Sequence, residues 1–300
     1  MITQDAEKVA PVRPAPVAEE PPRRPGKVRR AWDEVPRRHI YLPLSIYLVF
    51  TLVPFYWILL FALRKPGSTS LVPWPMTFEH FEKVWNERSF GVYFQNSVLV
   101  GVVTLLMTTL VALAGGYALA RFDFKIKRGF MLALLCSQFV PGALLLVPLF
   151  QIFAELRMIN SLGSVILAET VFQLPLSIIL ISNFIKNVPY SLEEAAWVDG
   201  CNRFTAFRVV VLPLLRPGLI AVGSFAFVHS WNHFLFALMF LSNQDKQTIP
   251  VGLNTLLSAD SVDLGALAAG GIIAAVPVVI VFAFIQKWLI TGFSAGAVKG

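Results

Sequence analysis

Charged side chains are scarce. Only 14% of the 300 residues are Asp, Glu, Lys or Arg, against roughly a quarter in an ordinary soluble domain. That shortage excludes a water-soluble globular class. Cysteine is nearly absent too. Cys136 stands in an apolar run and Cys201 in a polar loop, so neither a disulfide nor a metal spacing is expected. Histidine is limited to His39, His80, His229 and His233. No G-x-x-x-x-G-K-[ST] loop occurs, so the chain is not expected to hydrolyse ATP by that means. H-E-x-x-H and G-x-S-x-G are also missing, and no residue is assigned a catalytic role. Glu169 is the only acid within a long apolar run. An ion-driven carrier usually needs more buried carboxylates than one. Together these absences point to a pore-forming subunit whose energy comes from elsewhere.

Apolar residues make up 56% of the chain, and the mean hydropathy is +0.67. Residues 1–40 form a Pro-, Ala-, Glu- and Arg-rich stretch with no early apolar core, so no cleavable secretory signal is expected. Such a segment buries too little to offset its ordering entropy and is expected to be a disordered tail. Six apolar runs follow, over about 41–63, 94–117, 130–153, 161–185, 218–241 and 271–291. Each is near or above the roughly 20 residues that span a bilayer as a helix. The chain is therefore expected to be an all-α membrane protein of six transmembrane helices. The formal charge of +7 is read as an orientation signal rather than as nucleic-acid affinity. With the N-terminus inside, the inner flanks hold fourteen Lys and Arg and the outer flanks six. Both termini are thus expected in the cytoplasm, although Arg64 and Lys65, just after the first run, oppose the rule.

The stretch 186–217 carries the most information. Ser191 and Glu194 have capping-box spacing, which predicts a short helix from Leu192. Gly200 is suited to end it in a left-handed conformation. Asn202 can cap a second helix, which Pro213 is expected to stop. Phe204, Phe207 and Val211 then share one face. The product is a hook of two short helices.

The spacing from Glu194-Ala195-Ala196 through Gly200 to Val210 and Leu212-Pro213 resembles the EAA signature of ABC importer permeases, E-A-A-x3-G-x9-I-x-L-P, with Val210 in place of Ile. The resemblance continues in Asn96-Ser97, in Gly116 through Phe122, in Gln138 with Pro141 and Pro148, in Ser230 through Leu235, and in the last residues Gly292–Gly300. It covers 41–300 and is closest in kind to carbohydrate importer permeases of the MalG-like, maltose-type group. His233 departs from that group, which often has an acid after Trp-Asn.

The resemblance implies a type I ABC importer permease fold with a cytoplasmic EAA coupling helix. It implies four kinds of partner: a second homologous permease, two ATPase subunits, an extracytoplasmic sugar-binding protein and the lipid membrane. ATP and Mg would be held by the ATPase subunits and no cofactor by this chain. Coupling to the ATPase would involve Glu193, Glu194, Ala195, Ala196, Asp199, Gly200, Arg203, Phe207 and Pro213. Glu194 is expected to meet an arginine of the ATPase; alternatively it only closes the capping box and leaves Glu193 exposed. Polar and aromatic residues inside the runs, Gln138, Glu169, Gln173, His229, Asn232, His233 and Phe236, either line the translocation pathway or hold the two permeases together. His229, Asn232, His233 and Phe236 are expected on one face of one helix. His229 and His233 have a spacing that suits a metal, but no third ligand is evident and no metal is expected. The segment 242–270, with Asp245, Asp260 and Asp263, is expected to meet the binding protein or simply to connect. Ser294–Gly300 either reaches the ATPase or frays. The solute is expected to be a sugar; a polyol, a glycerol-phosphate type or an amino acid is the alternative, with an autonomous channel or carrier behind it.

Overall fold

The computed structural model describes the backbone of residues 37–257 and 262–297 and the side chains of 41–257 and 262–286. Most of the expected disordered tail, Asp260 and the last three residues lie outside the described residues. The chain divides into two units, residues 1–54 and 55–300. In the first, residues 37–54 are helical, and residues 41–54 are all exposed. They open α1 (Arg37–Leu63), which carries Pro43 and Pro54 inside it.

In the second unit, the described residues form ten main helices. They are α2 (Phe90–Arg121), α3 (Lys127–Ser137), α4 (Leu146–Glu155), α5 (Leu162–Lys186), α6 (Ser191–Val198), α7 (Arg203–Leu214), α8 (Arg216–Asn232), α9 (Leu235–Phe240), α10 (Ile249–Leu257) and α11 (Leu264–Ala297). A short helical segment over 79–87 precedes α2. No strand occurs among the described residues. Among the described residues, four helices are long and apolar enough to span a membrane: Tyr41–Leu63 of α1, α2, α5 and Leu264–Gln286 of α11. Two bent pairs, Lys127–Ser137 with Gly142–Glu155 at 93° and Arg203–Leu214 with Arg216–Asn232 at 73°, raise the number to six if each pair counts as one span.

Three expected spans differ in detail. The third is not one rod but two helices at the 93° bend, where Pro141 adopts an extended backbone with ψ 125°. The fifth stops at Asn232, because His233 turns extended with ψ 124° before α9 begins. The sixth starts at Leu264 rather than at Gly271. There the Asp263 carboxylate accepts a hydrogen bond from the Ala266 amide at 3.0 Å and fixes the first turn.

The long helices meet through small residues. Ser97, Gly101, Thr104, Thr108, Ala112 and Gly116 recur at three- and four-residue spacing along one buried face of α2. That face packs against α5 and α8. Within lipid, helices associate by close van der Waals packing rather than by expulsion of water, so small residues at the seam are favourable. Gly116 shows how tight the seam is. A Cβ there would lie 2.7 Å from Ile181 Cγ2 and 3.0 Å from the Ser182 backbone nitrogen. At the opposite end, Asn96 Nδ2 donates to the carbonyls of Asp245 and Gln247 at 3.0 and 2.8 Å, and Ser97 Oγ accepts from the Ile249 amide at 2.9 Å. These bonds fasten the loop before α10 to the start of α2.

A second tie joins the segment before α2 to α11. Lys83 Nζ donates to Asp263 Oδ2 at 2.8 Å, and the buried His80 lies 3.8 Å from Asp263 Oδ1. Burial pushes the Asp263 carboxyl up, but the Lys83 hydrogen bond, the Ala266 amide and the nearby Lys83 and His80 charges outweigh it and hold the group below its ordinary value. The folded pKa is therefore depressed. The tie contributes stability above the unfolded pKa, and that contribution is lost as pH falls through the folded one.

Three outcomes follow from this packing and this tie. Gly116→Ala forces the α2–α5 seam apart and destabilises the protein by about 1–3 kcal/mol. Gly115→Ala, whose Cβ would meet Ile178 only at 3.4 Å, leaves the melting temperature in mild detergent nearly unchanged. As pH falls through and below the ordinary carboxylate range, the melting temperature of the natural protein falls more steeply than that of Asp263→Asn, by a modest margin because the carboxylate is partly solvated.

Candidate functional site

Two clusters of the sequence-derived residues can be built from their local structure. The first is the loop between α5 and α8. Its helix α6 begins at Ser191 with Tyr190 as the preceding cap residue, and no side chain caps it. The expected capping box is therefore not formed: Ser191 is already inside the first turn. The end of α6 is as expected. Gly200 has φ +89°; its amide donates to the Trp197 carbonyl at 3.0 Å and the Cys201 amide to the Ala196 carbonyl at 2.9 Å. Those two bonds form a Schellman motif, which needs a residue tolerant of the left-handed region. Asn202 then caps α7, its side chain accepting from the Thr205 amide at 2.8 Å.

Pro213 does not stop α7, which runs one residue further to Leu214. The helix loosens before it reaches the proline: Phe207–Val211 has the wider π register, which leaves room for a residue that lacks an amide donor. The bend follows at Leu215. Phe204, 72% exposed, and Phe207 line one cavity beside Tyr117 and Phe122, whereas Val211, beyond the π register, is fully buried.

The two glutamates of α6 differ in burial. Glu193 is fully buried. Arg121 Nε donates to its Oε1 at 2.6 Å and Tyr117 Oη to its Oε2 at 2.8 Å. Arg121 Nη2 also donates to the Val188 carbonyl at 2.9 Å. The alternative in which Glu193 is exposed is thus overturned, because its carboxylate fills a basic pocket at the end of α2. Glu194, Ala195, Asp199 and Gly200 are exposed and Ala196 half-buried. Leu192 and Val198 add apolar surface at 42% and 88% exposure. Arg203 lies over the Trp197 ring at 5.4 Å, and Phe207 packs edge-on against Tyr117 at 4.9 Å. Arg121 and Tyr117 were not singled out for the loop by sequence. Their signal was an arginine and a tyrosine one turn apart where an apolar run meets a basic flank.

The second cluster lies between α5 and α8. Glu169 is fully buried on α5. Its Oε1 is 2.8 Å from His233 Nδ1 and its Oε2 3.4 Å from His229 Nδ1. The approach gives ion-pair distances without the alignment of a hydrogen bond. The His229 and His233 rings stack at 5.5 Å, and Phe236 lies 4.5 Å beyond His233. His229, Asn232 and His233 share one side as expected, but Phe236 belongs to the next helix, since the backbone breaks at His233. The break itself brings Phe236 back under the imidazole. His229, Asn232 and His233 open onto a cavity of about 300 Å³. Asn232 Nδ2 donates to the Val228 carbonyl of its own helix at 2.8 Å. Gln173 lies one turn from Glu169 and is buried, and neither of its amide atoms has a hydrogen-bond partner among the described residues. Gln138 is separate: it is exposed at the end of α3, at the 93° bend. No group of three or more His, Cys, Asp or Glu suited to a metal ion occurs among the described residues. Chemically, the cluster offers a carboxylate, two imidazoles and an aromatic face, but no nucleophile.

Comparison with known proteins gives a consistent result. Residues 112–294, more than half of the chain, match the family described as binding-protein-dependent transport system inner membrane component. The diacetylchitobiose uptake system permease protein DasC of Streptomyces coelicolor is 35% identical over 276 residues, covering 90% of this chain and 98% of that protein. The arabinooligosaccharides transport system permease protein AraQ of Halalkalibacterium halodurans is 34% identical over 240 residues, covering 79% and 85%. The crystal structure of a bacterial ABC transporter involved in the import of the acidic polysaccharide alginate superposes with a TM-score of 0.71 at 20% identity, covering 87% of this chain and 98% of the matched one. The fold is accordingly that of an ABC importer permease. A chain of several apolar spans with this match is a multi-pass membrane transport subunit and belongs to the binding-protein-dependent transport system inner membrane component family.

Proposed function

We propose that the chain is the translocation subunit of an ATP-driven importer of a sugar. Partner ATPase subunits would hydrolyse ATP with Mg. A second homologous permease would complete the pathway, and an extracytoplasmic binding protein would deliver the solute. The solute class is supported by the relatives, which transport diacetylchitobiose and arabinooligosaccharides according to their names. The observation that carries the coupling role is the split of α6. One acid is held inward, while Glu194, Ala195, Asp199 and Gly200 are left on an exposed face. That face is small and partly apolar, with Glu194 in the first turn of the helix and Asp199 at its end. It suits a cleft of another protein that supplies an arginine, since alanines allow close approach and a desolvated charge pair is strong. The charge bias of the flanks supports a cytoplasmic position for this loop and both termini, on the side where ATP is.

Glu169, His229, His233, Phe236 and Gln173 are proposed to face the solute or the second permease. Saccharides present hydroxyls and apolar ring faces, and imidazoles, a carboxylate and an aromatic plane complement both. Gln138, at the bend of the third span, is proposed to lie along the same path. Alternating access then follows from differential affinity: ATP-bound ATPases favour one arrangement of the loops and the loaded binding protein favours the same one from outside.

In the reconstituted transporter, Glu194→Ala and Gly200→Pro uncouple ATP hydrolysis from uptake and leave membrane insertion intact. The ratio of solute taken up to ATP hydrolysed falls by about tenfold or more, the size of a typical coupling energy. An unchanged ratio in both variants contradicts the assignment of α6.

A further inference from the structure

The buried carboxylate of Glu193 has a geometry that a docking surface does not need. Both of its oxygens are taken, Oε1 by Arg121 Nε and Oε2 by Tyr117 Oη. The arginine side chain is 8% exposed and the glutamate 0%. The same guanidinium reaches the Val188 carbonyl just before α6 and lies 5.4 Å from the Tyr190 ring. Phe207 of α7 closes on Tyr117 from the other side. Thus the last turn of α2 holds the entry to α6, its first turn and the middle of α7. Ion pairing is a poor way simply to add stability here, because desolvation offsets much of the attraction and apolar side chains would pack as well. A carboxylate gripped on both oxygens does something apolar packing does not: it fixes direction as well as distance.

The other end of α2 is tied in the same manner. Asn96 and Ser97 hold the carbonyls of Asp245 and Gln247 and the amide of Ile249. From Asn96 to Arg121 the helix runs about 38 Å at its normal rise. Pro is absent from α2, and Gly116 is locked against α5, so the helix has no kink at which a displacement would be absorbed.

We propose that Arg121, Tyr117 and Glu193 are positioning residues that fasten α6 to α2, so that displacement of the loop moves α2 as one rod together with the segment 245–249 held at its far end. This rests on the reading of α6 as the ATPase contact. Glu193 itself then touches no ATPase.

The test uses the assembled transporter with its ATPase, second permease and binding protein in proteoliposomes. Glu193→Gln, Arg121→Gln and the double variant are compared for melting temperature, ATPase retained through purification, and uptake per ATP hydrolysed. Each single variant strands one buried charge and lowers the melting temperature; the double variant strands none and recovers most of it. Uptake per ATP is expected to fall by about tenfold in all three. Recovery of uptake per ATP alongside the melting temperature in the double variant overturns the proposal, since the contact then only stabilises the fold. Release of the ATPase by Glu193→Gln overturns it as well. If the single variants fail to assemble, Tyr117→Phe keeps the ion pair and decides: a lowered ratio supports the proposal and an unchanged ratio contradicts it. Absence of an ATPase from the unmodified complex shows instead that the docking reading has failed.

Discussion

The seam between α2 and α5 is the constraint on which the other arrangements depend. Apolar helices in lipid gain little by hiding from water, so their association rests on how closely the backbones approach. Here the approach is set by Ser97, Gly101, Thr104, Thr108, Ala112 and Gly116 along α2. The seam places Arg121 at the point where the chain leaves α5, within reach of Val188 and Glu193. It also leaves Glu169 enclosed on α5, where α8 brings two histidines to it. A wider separation of these helices would leave the Glu193 carboxylate buried without its partners, at several kcal/mol.

The two buried acids occupy different mechanical settings. Glu193 is enclosed by donors from fixed positions, with its oxygens taken by Arg121 and Tyr117. Glu169 faces two imidazoles, one of them 40% exposed and lining a cavity, and beside it the Gln173 amide has no partner among the described residues. Fully satisfied polar networks hold a geometry, whereas incompletely satisfied ones are where a structure has polar groups to offer another molecule. That contrast supports the proposals made above, of holding at the loop end of α2 and of solute or partner contact at the Glu169 cluster.

Much of this was legible in the sequence. Long apolar runs report lipid directly, and Gly200 and Asn202 acted as the helix end and the helix cap their chemistry suggests. What failed was local punctuation that tertiary packing overruled. Ser191 had the spacing of a cap, but the turn through Pro189 and Tyr190 already supplied the carbonyls for the first amides of α6, so the helix began one residue early. Pro213 read as a stop, yet the π register before it absorbed the missing donor. The break at His233 carries no proline or glycine and left no mark in the pattern. The inward turn of Glu193 was invisible for another reason: two adjacent glutamates on a helix are alike until a partner 72 residues away in sequence chooses one.

The central claim is that this chain transports only as part of an assembly powered by a separate ATPase. The most direct measurement is purification of the tagged chain from its native membrane in mild detergent, followed by identification of what accompanies it and assay of ATP hydrolysis. The account predicts a second multi-span permease and a subunit with a phosphate-binding loop, with hydrolysis stimulated by a loaded binding protein. A homo-oligomer that carries no ATPase and moves solute on its own would contradict it.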